Sequence, residues 1–107
     1  MALKSARFDA AEVLDTEEAI EEFVAAAFET EDAALIVEAL GIVARARNMS
    51  KLAEEIGMSR PALYRALSGK GNPEFATITK VMRALGLKLA AAKAQPESRR
   101  RRTKPAA

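Results

Sequence analysis

The chain has 107 residues, half of them apolar and 30% charged, with a net charge of only +2 and neither cysteine nor histidine. That length suits one domain with a modest core, in which folding buries roughly 60–65% of the unfolded surface. The missing residue types exclude a disulfide framework, a thiolate or imidazole metal site and the usual general base near neutral pH, so neither an enzyme nor a cofactor is expected.

No segment approaches the ~20 apolar residues of a membrane span. The N-terminus lacks an apolar stretch followed by a cleavage site, so the cytoplasm is the expected compartment. The charge is divided unevenly. Residues 1–31 carry two bases against nine acids, net −7, and residues 32–107 carry fifteen against six, net +9. Two surfaces with different partners are implied. A polyanion such as DNA favours the basic part and is repelled by the acidic one.

In chain order, residues 1–15 read as irregular, with Phe8, Val13 and Leu14 available for packing. Asp15 or Thr16 caps a helix from Glu17 to Phe28, and Asp15 with Glu18 has capping-box spacing. Ala19, Ile20, Phe23, Val24 and Ala27 form its apolar stripe. Thr30 or Asp32 starts the next helix, which ends near Asn48, with Leu35, Ile36, Ala39, Leu40, Ile42 and Val43 as core candidates. Gly41 inside that run is unfavourable by ~1 kcal/mol relative to alanine, and a close helix crossing would explain it. Arg45 and Arg47 suit the negative helix end and can also reach phosphate.

Residues 50–69 then read as helix, short turn, helix, the spacing of a helix-turn-helix. Ser50 is the expected cap of the first helix, whose apolar side is Leu52, Ala53 and Ile56. Gly57 supplies a positive φ at its end, and Met58 plugs the gap between the two helices. Ser59 caps the second helix, and Pro61 lies in its first turn, where a missing N–H costs little. Leu63, Ala66 and Leu67 point inward, which leaves Arg60, Ala62, Tyr64 and Arg65 on other faces. Ser68 to Pro73 is a loop. Glu74 to Leu85 is a helix with Phe75, Ile78, Val81, Met82 and Leu85 inward, ended by Gly86. Leu87-Lys88-Leu89 alternates like a short strand, which must pair with another chain, with the N-terminal segment, or fray. Residues 93–107, with Arg99 to Arg102 and Lys104, read as a disordered basic tail.

The expected fold is therefore all-α, a small helical bundle with a lambda-repressor-like helix-turn-helix and a possible C-terminal strand. It divides into an acidic arm and helix (1–31), a DNA-binding domain (32–90) and a basic tail (91–107). Three further pieces stand out beside the helix-turn-helix. They are Ala39-Leu40-Gly41, Gly71-Asn72-Pro73-Glu74-Phe75, and Ala84-Leu85-Gly86-Leu87. With Phe8-Asp9, Leu14 and Phe23 they make residues 8–90 resemble the probable addiction-module antidote proteins, a HigA-like branch of the lambda-repressor-like superfamily. The resemblance implies an antitoxin that silences a RelE/HigB-like mRNA-cleaving toxin and represses its own operon as a homodimer on double-stranded operator DNA. A stand-alone phage-type transcriptional regulator is the alternative, and an interaction protein with a vestigial helix-turn-helix a third.

By the motif, Ser59, Arg60, Ala62 and Tyr64 fall on the groove-facing start of the recognition helix. Arg60 is the candidate for bidentate reading of guanine O6 and N7. Lys51, Arg65, Ser68, Lys70 and Asn72 are candidates for phosphate contacts, with solvated surface bases as the alternative for Arg65 and Lys70. For toxin binding the candidates are Phe8 and Leu14 as apolar anchors and Glu18, Glu21 and Glu22 as charge complement to a cationic RNA groove. The tail Arg99–Arg102 lies outside the family pattern.

Overall fold

The computed structural model describes residues 14–94, and these are all-helical. Five helices follow one another: α1 (Glu17–Glu29), α2 (Ala33–Arg47), α3 (Met49–Ile56), α4 (Arg60–Ala66) and α5 (Phe75–Ala84). The expected basic tail and Phe8 lie outside the described residues.

Local hydrogen bonds set most boundaries. Of the two candidates before α1 it is Thr16 that caps, its Oγ1 accepting from the Ala19 N–H at 3.0 Å, while Glu17 and Glu18 sit at the positive helix end. α1 closes through the Thr30 and Glu31 N–H groups, which donate to the carbonyls of Ala27 and Phe28. Glu31 has φ 56°, the left-handed turn that reverses the chain. Asp32 then caps α2 by accepting from Ala34 and Leu35. A three-residue connection of this kind makes α1 and α2 an antiparallel hairpin.

Asn48 serves two helices. Its N–H donates to the Ala44 carbonyl and so ends α2, and its side chain accepts from the Lys51 N–H at 3.0 Å and so begins α3. Ser50, the expected cap, lies inside α3 instead. The helix begins one residue before it, at Met49, which the core buries, and that hands the capping role to Asn48. The ends of α3 and α5 are built alike. Gly57 (φ 72°) and Gly86 (φ 81°) take the left-handed position. The following N–H groups, of Met58 and Leu87, reach back to the carbonyls of Ala53 and Met82 at 2.9 and 2.8 Å.

One hydrophobic cluster joins every helix. It includes Leu14, Ile20 and Val24 from the N-terminal part, Leu40, Val43 and Ala44 of α2, Leu52 and Ala53 of α3, Leu63 and Leu67 around α4, and Ile78, Val81 and Met82 of α5. Gly41 answers the question its composition raised. A Cβ built there would stand 2.5 Å from the backbone oxygen of Leu67, so α2 passes against the C-terminal end of α4 at a distance only glycine permits.

Three further expectations fail. Leu35 is 45% exposed and Phe75 73% exposed, although the apolar spacing put both inside. Leu35 and Phe75 lie in the first turns of α2 and α5, past the edge of the core. The Leu87-Lys88-Leu89 alternation forms no strand, for no second strand stands among the described residues to accept its hydrogen bonds. Leu87 and Leu89 pack, half-buried, on the core, and Lys88 faces water.

Candidate nucleic-acid interface and acidic face

α3, the three residues Gly57-Met58-Ser59 and α4 form the candidate interface. The Ser59 Oγ accepts from the Ala62 N–H at 3.2 Å, and Pro61 occupies the first turn of α4. Ser59 thus holds the start of α4 through its side chain. Leu63 and Leu67, four residues apart, are buried and pin one face of α4 to the core. The remaining arc is open: Arg60, Tyr64 and Arg65 are exposed and Ala62 is half-buried. Arg60 and Tyr64 are also four apart, and the guanidinium carbon stands 5.6 Å from the Tyr64 ring centroid. A cation over a ring face at this distance is attracted by ~0.5–1 kcal/mol at an exposed site, which restricts the arginine to one side of the helix.

The other candidates are exposed as well. Lys51 lies in the first turn of α3, and Ser68, Lys70 and Asn72 in the loop after α4. Ser68 Oγ accepts from the Lys70 N–H at 3.2 Å, so the loop has a defined turn. From Gly57 to Gly71 the chain holds three bases and no acid. The opposite composition governs residues 14–32, with eight acids and no base. Within that segment Glu18, Glu21 and Glu22 are exposed. Leu14 is only 2% exposed and belongs to the core.

Sequence reasoning missed a groove. Between α1 and α2 an open apolar cleft of about 300 Å³ is lined by Phe23, Ala26, Ala27, Leu35, Ile42 and, at its edge, Glu38. Its signal was present: the apolar stripes of α1 and α2 are wider than one buried face requires.

A family model described as "Probable addiction module antidote protein" matches residues 4–93. An uncharacterized protein of Haemophilus influenzae (strain Rd) is 52% identical over 80 residues, 75% of this chain and 82% of the relative. No solved structure matches. Antidote membership suggests a regulatory rather than a catalytic role, implies a toxin as partner, and accords with the lack, among the described residues, of any helix long and apolar enough to cross a membrane. With the family model spanning most of its length and a relative more than half identical, the chain belongs to the family of probable addiction module antidote proteins.

Proposed function

We propose that this antidote is a HigA-like antitoxin that binds its own operator DNA through α3 and α4, acting as a helix-turn-helix, and neutralises a RelE/HigB-like mRNA-cleaving toxin through its acidic face. The observation that carries the DNA half is α4 itself. A short helix, pinned by Leu63 and Leu67, carries Arg60 over the Tyr64 ring on its open side, with no acid from Gly57 to Gly71. Arg60 and Tyr64 with Ser59 and Ala62 meet base edges, Arg60 pairing with guanine. Lys51, Arg65, Ser68, Lys70 and Asn72 contact phosphates and set register. One such helix reads only a few base pairs. A homodimer places two of them about one helical turn, ~34 Å, apart.

A mobility shift on the chain's own promoter is the test. Arg60→Ala is expected to weaken operator binding by ~1–3 kcal/mol and to flatten base preference at one position. Lys70→Ala weakens all sequences alike and reduces the salt slope by ~1. Unchanged affinity and base preference in Arg60→Ala removes the groove assignment.

For the toxin half, Glu18, Glu21 and Glu22 meet a cationic RNA-binding groove. Complementary charge of this kind mainly raises the association rate and makes it salt-dependent. Deleting residues 1–31 is a poor test, because it takes Leu14, Ile20 and Val24 out of the core. Reversing Glu18, Glu21 and Glu22 to lysine spares those positions. The triple variant is expected to fold normally and to associate with the toxin at least about tenfold more slowly at low salt. An unchanged on-rate refutes the electrostatic mechanism.

A further inference from the structure

The α1–α2 groove has no role in the DNA reading, and its chemistry is unlike that of the α4 surface. Its floor is apolar: Phe23 and Ala27 from α1, Ile42 and Leu35 from α2. Leu35 is 45% exposed there, a large aliphatic side chain left partly in water. Its edge is acidic. Glu38 lines it directly. On the α1 side Ala26 lines it, and Glu22 and Glu29, four before and three after Ala26, are its neighbours on the helix surface. All three glutamates are exposed.

We infer that this groove receives an amphipathic, basic helix of the toxin partner, whose apolar side chains fill the cleft while its lysines and arginines meet Glu22, Glu29 and Glu38. The inference rests on the toxin-binding reading above and names the surface that supplies its apolar energy. Two antiparallel helices with an open seam are the form that accepts a helix by its apolar face. Of the two anchors expected from the sequence, Phe8 lies outside the described residues and Leu14 is buried in the core, and Leu35 supplies an exposed one. In protein interfaces, buried apolar anchors carry most of the energy, and surrounding charges set rate and partner choice.

The rival occupants fit worse. A second copy paired about a two-fold axis brings the acidic edge against itself. The chain's own basic segment, residues 95–107, contains no valine, isoleucine, leucine, methionine or aromatic residue to fill an apolar cleft. Residues 1–13 carry two bases and two acids and offer the acidic edge no net charge. A small metabolite is a poor fit too, since about 300 Å³ in an open cleft is the bottom of the ~300–1,000 Å³ range of ligand pockets.

The probe is the basic protein encoded by the reading frame adjacent to this chain's own, purified with and without the full-length antidote. Leu35→Asp is expected to weaken that complex at least about tenfold, chiefly through faster dissociation. Its melting temperature and its promoter mobility shift are expected to stay at the wild-type level, because the position is half in water. Glu38→Lys with Glu22→Lys and Glu29→Lys is expected to slow association at low salt and to lose that defect at high salt. Wild-type affinity in Leu35→Asp overturns the inference while leaving the toxin reading in place. A drop in light-scattering mass of the free protein, with toxin binding intact, assigns the groove to a second copy and overturns it. A collapse of the melting temperature shows the groove to be filled by the chain itself and overturns it too. Failure of the wild-type chain to bind the adjacent-frame protein overturns the partner reading, and this inference with it.

Discussion

Gly41→Val is expected to lower the melting temperature sharply and to weaken DNA binding at the same time. Glycine in a helix interior is worse than alanine by ~1 kcal/mol, so on propensity alone any replacement except proline at position 41 gains or breaks even. Packing reverses the sign. The first carbon of any side chain there stands 2.5 Å from the Leu67 carbonyl oxygen, well inside contact distance. That oxygen belongs to the backbone and cannot swing aside. The Arg45 guanidinium nitrogen, 3.3 Å away, can. α2 and the end of α4 must therefore separate, which disturbs the core cluster that Leu67 shares with Leu40 and Val43. Overpacking of this kind costs about 1–3 kcal/mol, and more for a branched side chain against a fixed backbone. At roughly 4–8 °C per kcal/mol for a domain of this size, the loss is plain in a circular dichroism melt. Gly41→Ala gives a smaller drop of the same sign. A melting temperature at or above wild type in Gly41→Ala means the two helices separate freely, and the close approach is then not a constraint.

Leu63→Ala is expected to have an equal or larger effect, ~2–5 kcal/mol in urea unfolding. Leu63 is wholly buried at the middle of α4. A helix of seven residues has almost no stability of its own, since nucleation is unfavourable and few hydrogen bonds follow it. Its orientation comes from Leu63 and Leu67 below it and from the Ser59 cap at its start. Truncating Leu63 leaves a cavity under the helix that carries Arg60 and Tyr64. Operator affinity is then expected to fall further than the equilibrium fraction of unfolded protein explains. Phe75→Ala is the control, a large apolar truncation at a position 73% exposed, with an expected change within about 0.5 kcal/mol. If Phe75→Ala proves as damaging as Leu63→Ala, Phe75 is covered in solution.

Both variants act on the placement of α4, and that placement shows where sequence and tertiary structure divide the work. The boundaries that rest on close neighbours along the chain were legible. Thr16, Asp32 and Ser59 accept hydrogen bonds from the N–H groups two or three residues on, and Gly57 and Gly86 turn left-handed where periodicity stops. Such bonds depend on local geometry alone, so residue type and spacing suffice to place them. The candidate interface inherits this legibility, because Arg60, Tyr64 and the turn before them are set by the same short-range rules. Charge separation was equally plain, since it is a count along the chain.

Only the tertiary structure decided the rest. Asn48 displaces Ser50 as a cap because the core takes Met49 and starts α3 one residue early. Leu35 and Phe75 share the apolar type and spacing of buried residues, yet stand in the first turns of α2 and α5 and stay 45% and 73% exposed. Periodicity reports which face of a helix is apolar, but not how far along that face another helix extends. The alternation of Leu87 and Leu89 suits a strand, and with no strand edge among the described residues to pair with it becomes a packed coil. Gly41 was visibly anomalous in the sequence, and its cause, the Leu67 oxygen, is 26 positions away in the chain. The α1–α2 groove belongs to this second group. An exposed apolar surface is apolar area left over after the chain has packed on itself, and that remainder exists only once every helix has its place.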